Sequence, residues 1–192
     1  MELERLSFVM NNTVYRKQCT IFWHMDDLKI LYVISKVVDG VLSQLTAKYG
    51  KVSSLSVSRG RLHDYLGLGL NYGTKGKVRI TAPKHIESIL EASAYDMYGI
   101  TATSSANHMF TVREYGYTLT ITQKDLFWTL VEKIFFVSCR SRPDLKKLLY
   151  FITTRVRNLD GDDYNKLARM IRYIRATQGI NLTLEVESMD TI

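Results

Sequence analysis

The chain has 192 residues, 46% hydrophobic and 23% charged, with 11 Gly, 2 Pro and 2 Cys. That length suits one ordinary domain or one and a half small ones, and the composition excludes disordered, collagen-like and Pro-rich chains. The two cysteines, Cys19 and Cys139, exclude a disulfide framework or a Cys-rich zinc site, and most of the net charge of +7 lies in one segment. From Arg140 to Thr177 there are ten basic and four acidic residues, or +6 of that charge. Such a concentration points to a polyanionic partner or to a solvated helical face.

The first residues, Met1-Glu-Leu-Glu-Arg, put acids where a basic leader would stand, and no cleavage site follows an apolar run. The most apolar stretch, Leu126 to Cys139, is interrupted by Glu132 and Lys133 and is too short for a bilayer. The expectation is a soluble, intracellular protein with reduced thiols. Residues 19–25 and 28–34 are rich in β-branched, aromatic and large apolar residues around Asp26-Asp27, the pattern of a β-hairpin turning on the two acids. Ser35 is placed to cap a helix to Tyr49, with Val37, Val38, Val41, Leu42 and Leu45 at helical spacing and Gly50 at its end.

Val52 to Val57 partly alternates. Tyr65 to Tyr72 reads as one strand, Gly73 to Gly76 as a turn and Lys77 to Thr81 as the returning strand. Pro83 suits a helix start, with Ile86, Ile89 and Leu90 on one face. Residues 97–121 form a long polar loop with a weak strand at Tyr117–Ile121. A helix then opens on Thr122 and Asp125, a second on Pro143 and Asp144 to Val156, and a third on Asp160 to Asp163, ending near Ala176. Ile180 to Val186 reads as a short strand. Strands first and helices later give an α+β fold in two lobes.

Asp26-Asp27 is the sharpest chemical feature. Adjacent carboxylates repel, burial raises that cost, and a divalent cation removes both objections. Mg²⁺ takes one or two carboxylates together with waters and phosphate oxygens. The competing reading is a plain exposed turn, because Asp is an ordinary turn residue.

The run Trp23-His-Met-Asp-Asp-Leu-Lys29 resembles the two-aspartate motif of reverse transcriptases of the copia-type retrotransposons. Further likenesses follow in order: Tyr65-Leu-Gly67, Lys84-His-Ile-Glu-Ser-Ile-Leu90, Arg142-Pro-Asp-Leu145 and Arg172-Tyr-Ile-Arg-Ala-Thr177. Together they extend over about residues 15 to 184. The resemblance implies template-directed DNA synthesis with Mg²⁺ or Mn²⁺ held by three palm carboxylates. Asp26 would be the direct metal ligand and Asp27 the weaker one. His24 and Met25, and Tyr65, Leu66 and Gly67 in a primer-gripping hairpin, would lie near primer or nucleotide.

By the same resemblance, residues 1–82 form a partial palm, 83–186 a helical thumb and connection, and 187–192 a tail toward an RNase H domain. The implied partners are an RNA/DNA template–primer duplex and a fingers and palm portion absent from this chain. The implied location is the cytoplasm, in a virus-like particle, or the nucleus. Three departures accompany the likeness. The third carboxylate belongs well upstream, and Glu2 and Glu4 do not sit in such a motif. His24 stands where the family has Tyr, and Ala176 where it has Gly.

Lys166, Arg169, Arg172 and Arg175 recur every third residue on one helix, opposite Leu167, Met170, Ile171 and Ile174. With Lys146 and Lys147 they are the candidate phosphate contacts; the alternative is a solvated outer face. Tyr164 and Tyr173 are expected to pack rather than stack on bases. Asp160-Gly-Asp-Asp163 reads as helix capping, and Arg142, Pro143 and Asp144 as a structural helix start. His24, His63, His85 and His108 show no metal-ligand spacing. Two functions stay open: part of an RNA-directed DNA polymerase, or a non-catalytic remnant that binds nucleic acid or another protein.

Overall fold

A computed structural model describes residues 8–10, 13–15, 20–32, 34–106, 108–112 and 116–186. Cys19, Glu2, Glu4 and the 187–192 tail lie outside the described residues. The fold is α+β, and the chain divides into two compact units, Met1–Gly60 and Arg61–Ile192. This division precedes the expected boundary at residue 82, because the strands of 62–81 group with the helices that follow.

The first unit has a short antiparallel pair, β1 (Phe8–Met10) with β2 (Thr13–Tyr15). The hairpin of β3 (Thr20–His24) and β4 (Asp27–Leu31) follows. Helix α1 (Ser35–Tyr49) buries Val37 and Val41. Ser35 is its first helical residue rather than its cap; the capping position falls to Ile34, which offers no side-chain acceptor. Gly50 closes the helix through its N–H to the Thr46 carbonyl, at 2.8 Å. Val52 to Val57 forms no strand.

The second unit is a four-stranded antiparallel sheet on a helical core. Its strands, in spatial order, are β5 (Leu62–Tyr65), β6 (Leu68–Asn71), β7 (Lys77–Thr81) and β8 (Leu182–Glu185). The single strand expected at Tyr65 to Tyr72 is in fact broken at Leu66-Gly67. Both residues have positive φ, +53° and +72°, the backbone of a tight two-residue hairpin turn. A leucine in that conformation gives no turn signal, so an apolar run conceals the reversal. β8 returns from the chain's far end to pair with β7, in register Ile80 to Leu182.

Helix α2 (Pro83–Ala92) begins on its proline and buries Ile86 and Ile89. Helix α3 (Ile121–Arg140) is capped by Thr120 with Gln123, two positions before the expected Thr122–Asp125 box. The expected strand at 117–121 is reduced to one bridge between Thr118 and Asp160. A 3-10 turn at Pro143–Leu145 leads into α4 (Lys146–Thr154), and a second follows at Val156–Asn158. Helix α5 (Gly161–Ala176) carries a full capping box between Asp160 and Asp163. Phe127, Leu130, Ile134, Leu149, Ile152, Leu167 and Ile171 meet in the core. Burying a side chain of that size removes roughly 1.5–3 kcal/mol of apolar exposure.

Candidate catalytic hairpin and basic helix

In the first unit His24 pairs with Asp27, Trp23 with Leu28 and Phe22 with Lys29. The turn residues are therefore Met25 and Asp26, one place earlier than the Asp26-Asp27 turn expected. Asp26 occupies the tip, and Asp27 opens the returning strand on the same face as His24, Phe22 and Lys29. Met25 has φ +52° and is 84% exposed. A left-handed conformation costs a non-glycine residue roughly 1–2 kcal/mol. The Trp23 indole N–H donates to the Met25 carbonyl at 2.7 Å, which helps hold the turn. Trp23 was not foreseen in this role; its place beside the turn is the only signal the sequence offers.

Asp26 and Asp27 are both exposed, so water screens their repulsion and the fold requires no cation there. The argument from burial does not apply to them. Lys29, by contrast, is buried, and burial pulls its ammonium pKa below the usual lysine range. Two hard, exposed oxygen donors match the one or two carboxylates that Mg²⁺ takes from a protein. Among the described residues no group of three or more His, Cys, Asp or Glu is gathered to hold a metal. Carboxylates are the donor type that Mg²⁺ or Mn²⁺ accepts, with water and phosphate oxygens filling the remaining positions.

In the second unit Tyr65, Leu66 and Gly67 form the end of the β5–β6 hairpin. A Cβ on Gly67 would stand 2.6 Å from His85 Nε2, so the turn lies directly on α2. The His85 ring packs on Phe136 at 4.2 Å. Burial, then Arg140 and Lys133, lower the His85 pKa and favour the neutral ring.

The basic stripe of α5 faces the 93–111 segment of its own chain. Lys166 is 2% exposed; its ammonium donates to the Thr111 carbonyl at 2.6 Å and pairs with Asp162 at 2.9 Å. It is a structural ion-pair centre, which corrects its assignment as a phosphate contact. Arg169 donates to Thr103 Oγ1, and Arg172 to the carbonyls of Asp96 and Tyr98. Arg175 donates to the carbonyls of Met97 and Gly99 and to Ser93 Oγ. The stripe therefore clamps a loop that has little regular structure of its own. On α4, Lys147 is exposed with its ammonium 5.0 Å from the centre of the Phe110 ring, and Lys146 is half-buried.

Arg142, read from the sequence as part of a structural helix start, is held within the chain. It is 1% exposed and forks onto both oxygens of Asp144, at 2.8 to 3.3 Å. Asp144 also accepts from the Tyr173 hydroxyl at 3.0 Å. Partial burial works against the Asp144 charge, but Arg142 and Tyr173 together hold its pKa below the ordinary carboxylate range. Tyr164 packs at 3% exposure with its hydroxyl on Asp96; burial first, and then Asp96, push its pKa up to about 12. No helix among the described residues is long and apolar enough to cross a membrane.

No family model, curated protein or solved structure matches this chain.

Proposed function

We propose that the chain is the later palm segment and helical lobe of a copia-type RNA-directed DNA polymerase. Its reaction is template-directed nucleotidyl transfer. The observation that carries this reading is the tip of the β3–β4 hairpin. Two exposed carboxylates stand there beside Met25, a strained residue that no glycine replaces. Asp26 and Asp27 would hold Mg²⁺ or Mn²⁺, which when bound supplies charge stabilisation at the transferring phosphoryl group. The hairpin register fixes Asp27 and His24 on one face and Asp26 at the tip. The duplex and the fingers-bearing part of the palm, with the third carboxylate, are the proposed partners.

Titration of the full chain with Mn²⁺, followed by paramagnetic broadening in NMR spectra, tests the site. Weak broadening centred on residues 24–28 and lost in Asp26→Asn is expected. Equal broadening in the variant, or none at the hairpin, would sink the proposal. A primer-extension assay with Mg²⁺ adds a second check: the chain alone is expected to be inert. It should support synthesis only with a copia-type fingers and palm portion supplied in trans, and not as Asp26→Asn.

One observation favours a second reading, a non-catalytic interaction domain. The cations of the basic stripe are largely engaged within the chain. Mn²⁺ broadening absent from the hairpin, with a well-folded chain, is the result that domain would give.

A further inference from the structure

Between α5 and the 100–109 segment lies a cleft of about 300 Å³, within the second unit. Lys166, Arg169, Arg172 and the carboxylate of Asp162 line it, with Asn165 exposed; Ile100 and Met109 contribute apolar surface. The charges do not cancel. Lys166 is neutralised by Asp162 and Asp163, at 2.9 and 3.8 Å. Arg169 and Arg172 meet only neutral acceptors, a threonine hydroxyl and two backbone carbonyls. Among the described residues neither has a carboxylate partner. Among the described residues the Arg169 Nε–H is also buried without an acceptor. A buried donor left unpaired carries its full desolvation cost, and native structures nearly always satisfy such groups.

We infer that this cleft is an oxyanion site that takes a phosphate group, with Arg169 as its principal ligand and Arg172 as the second positive charge. Guanidinium groups match phosphate oxygens in geometry and bind them through charge-assisted hydrogen bonds. The cleft is larger than one phosphate needs, and its Ile100 and Met109 surface leaves room for an attached organic group. The phosphate has two possible sources, a small phosphomonoester or a nucleic-acid backbone. The inference does not depend on the Asp26–Asp27 site, which lies in the other unit.

Calorimetric titration of the full chain with inorganic phosphate, at constant ionic strength against chloride, tests it. Saturable binding is expected, weakened at least tenfold in Arg169→Gln. Asn165→Asp, an exposed substitution that adds a negative charge at the edge of the cleft, should weaken it similarly. That variant carries the test if circular dichroism shows Arg169→Gln to be unfolded. Competition by ribose 5-phosphate or by a duplex oligonucleotide identifies the source of the phosphate, and either supports the site. No saturable phosphate binding by the unaltered chain would overturn the inference. Equal affinity in both variants would overturn it as well.

Discussion

Arg142 grips Thr177 from 35 residues away: one guanidinium nitrogen donates to its carbonyl at 2.9 Å and another to its hydroxyl at 2.8 Å. The Thr177 hydroxyl in turn donates to the Tyr173 carbonyl at 2.6 Å, and the Tyr173 ring stands 5.5 Å from the guanidinium. The two segments read as separate motifs in the sequence, Arg142 to Leu145 and Arg172 to Thr177, are thus one joint around the buried Arg142. It ties the start of α4 to the end of α5.

Replacing Arg142 with Ala should be among the most damaging single changes in the second unit. It removes the cation beside the part-exposed Asp144 carboxylate and leaves the Thr177 carbonyl without its donor, a loss of roughly 1.5–3 kcal/mol for hydrogen bonds to a charged group. Urea denaturation reads this as a lowered midpoint. A midpoint within error of the unaltered chain would show that the joint contributes nothing to stability.

Asp144 makes the same joint sensitive to acid. Its folded pKa lies below the unfolded value of about 3.9, so its contribution is present at neutral pH and is lost as pH falls through the folded pKa. The stability difference between the unaltered chain and Asp144→Asn should therefore be largest near neutrality and shrink below about pH 4. Thermal unfolding from neutral to acid pH measures it. A difference that stayed constant across that range would contradict the linkage.

Two glycines should respond to alanine with opposite signs. Gly40, inside α1, has open space where a Cβ would go, so Gly40→Ala should stabilise by about 1 kcal/mol. Gly67 combines φ +72° with His85 Nε2 in the way, so Gly67→Ala should destabilise by at least roughly 1–2 kcal/mol. Matched chemical denaturation curves decide this. A Gly67→Ala variant as stable as the parent would mean that the turn can rearrange.

Lys166→Met separates the structural role of this lysine from a ligand-binding one. The change removes the donor to Thr111 and leaves Asp162 and Asp163 without that cation. Asp163 is already raised by burial and by Asp160, against Arg155 and Lys166, so losing Lys166 should raise it further. We expect a loss of about 3 kcal/mol, as for other broken buried pairs. Unchanged thermal stability combined with weakened binding to an oligonucleotide would return Lys166 to the role first read for it.

The legible elements were those with a local cause. Pro83 and Ile86, Ile89 and Leu90 announced α2, and the Asp160–Asp163 capping box announced α5, because helical periodicity and end chemistry are written within a few residues. The β3–β4 hairpin was legible in kind but displaced by one residue. The apolar-acidic pattern marks a reversal without fixing its register, and the register put Met25 rather than Asp27 in the turn. The break at Leu66-Gly67 was hidden because neither strand propensity nor apolar pattern reports a positive φ at leucine.

The sequence by itself determined the helices, the two-acid hairpin and the concentration of positive charge between Arg140 and Thr177, all properties of residues close along the chain. Only tertiary structure decided what that charge does. Lys166, Arg172 and Arg175 reach backbone carbonyls 55 to 78 residues away, where an irregular loop meets donors that a solvent-facing helix would have left in water. A charge pattern cannot distinguish the two cases, because a buried backbone carbonyl and a phosphate oxygen both satisfy a guanidinium, and chain folding alone selects which one arrives.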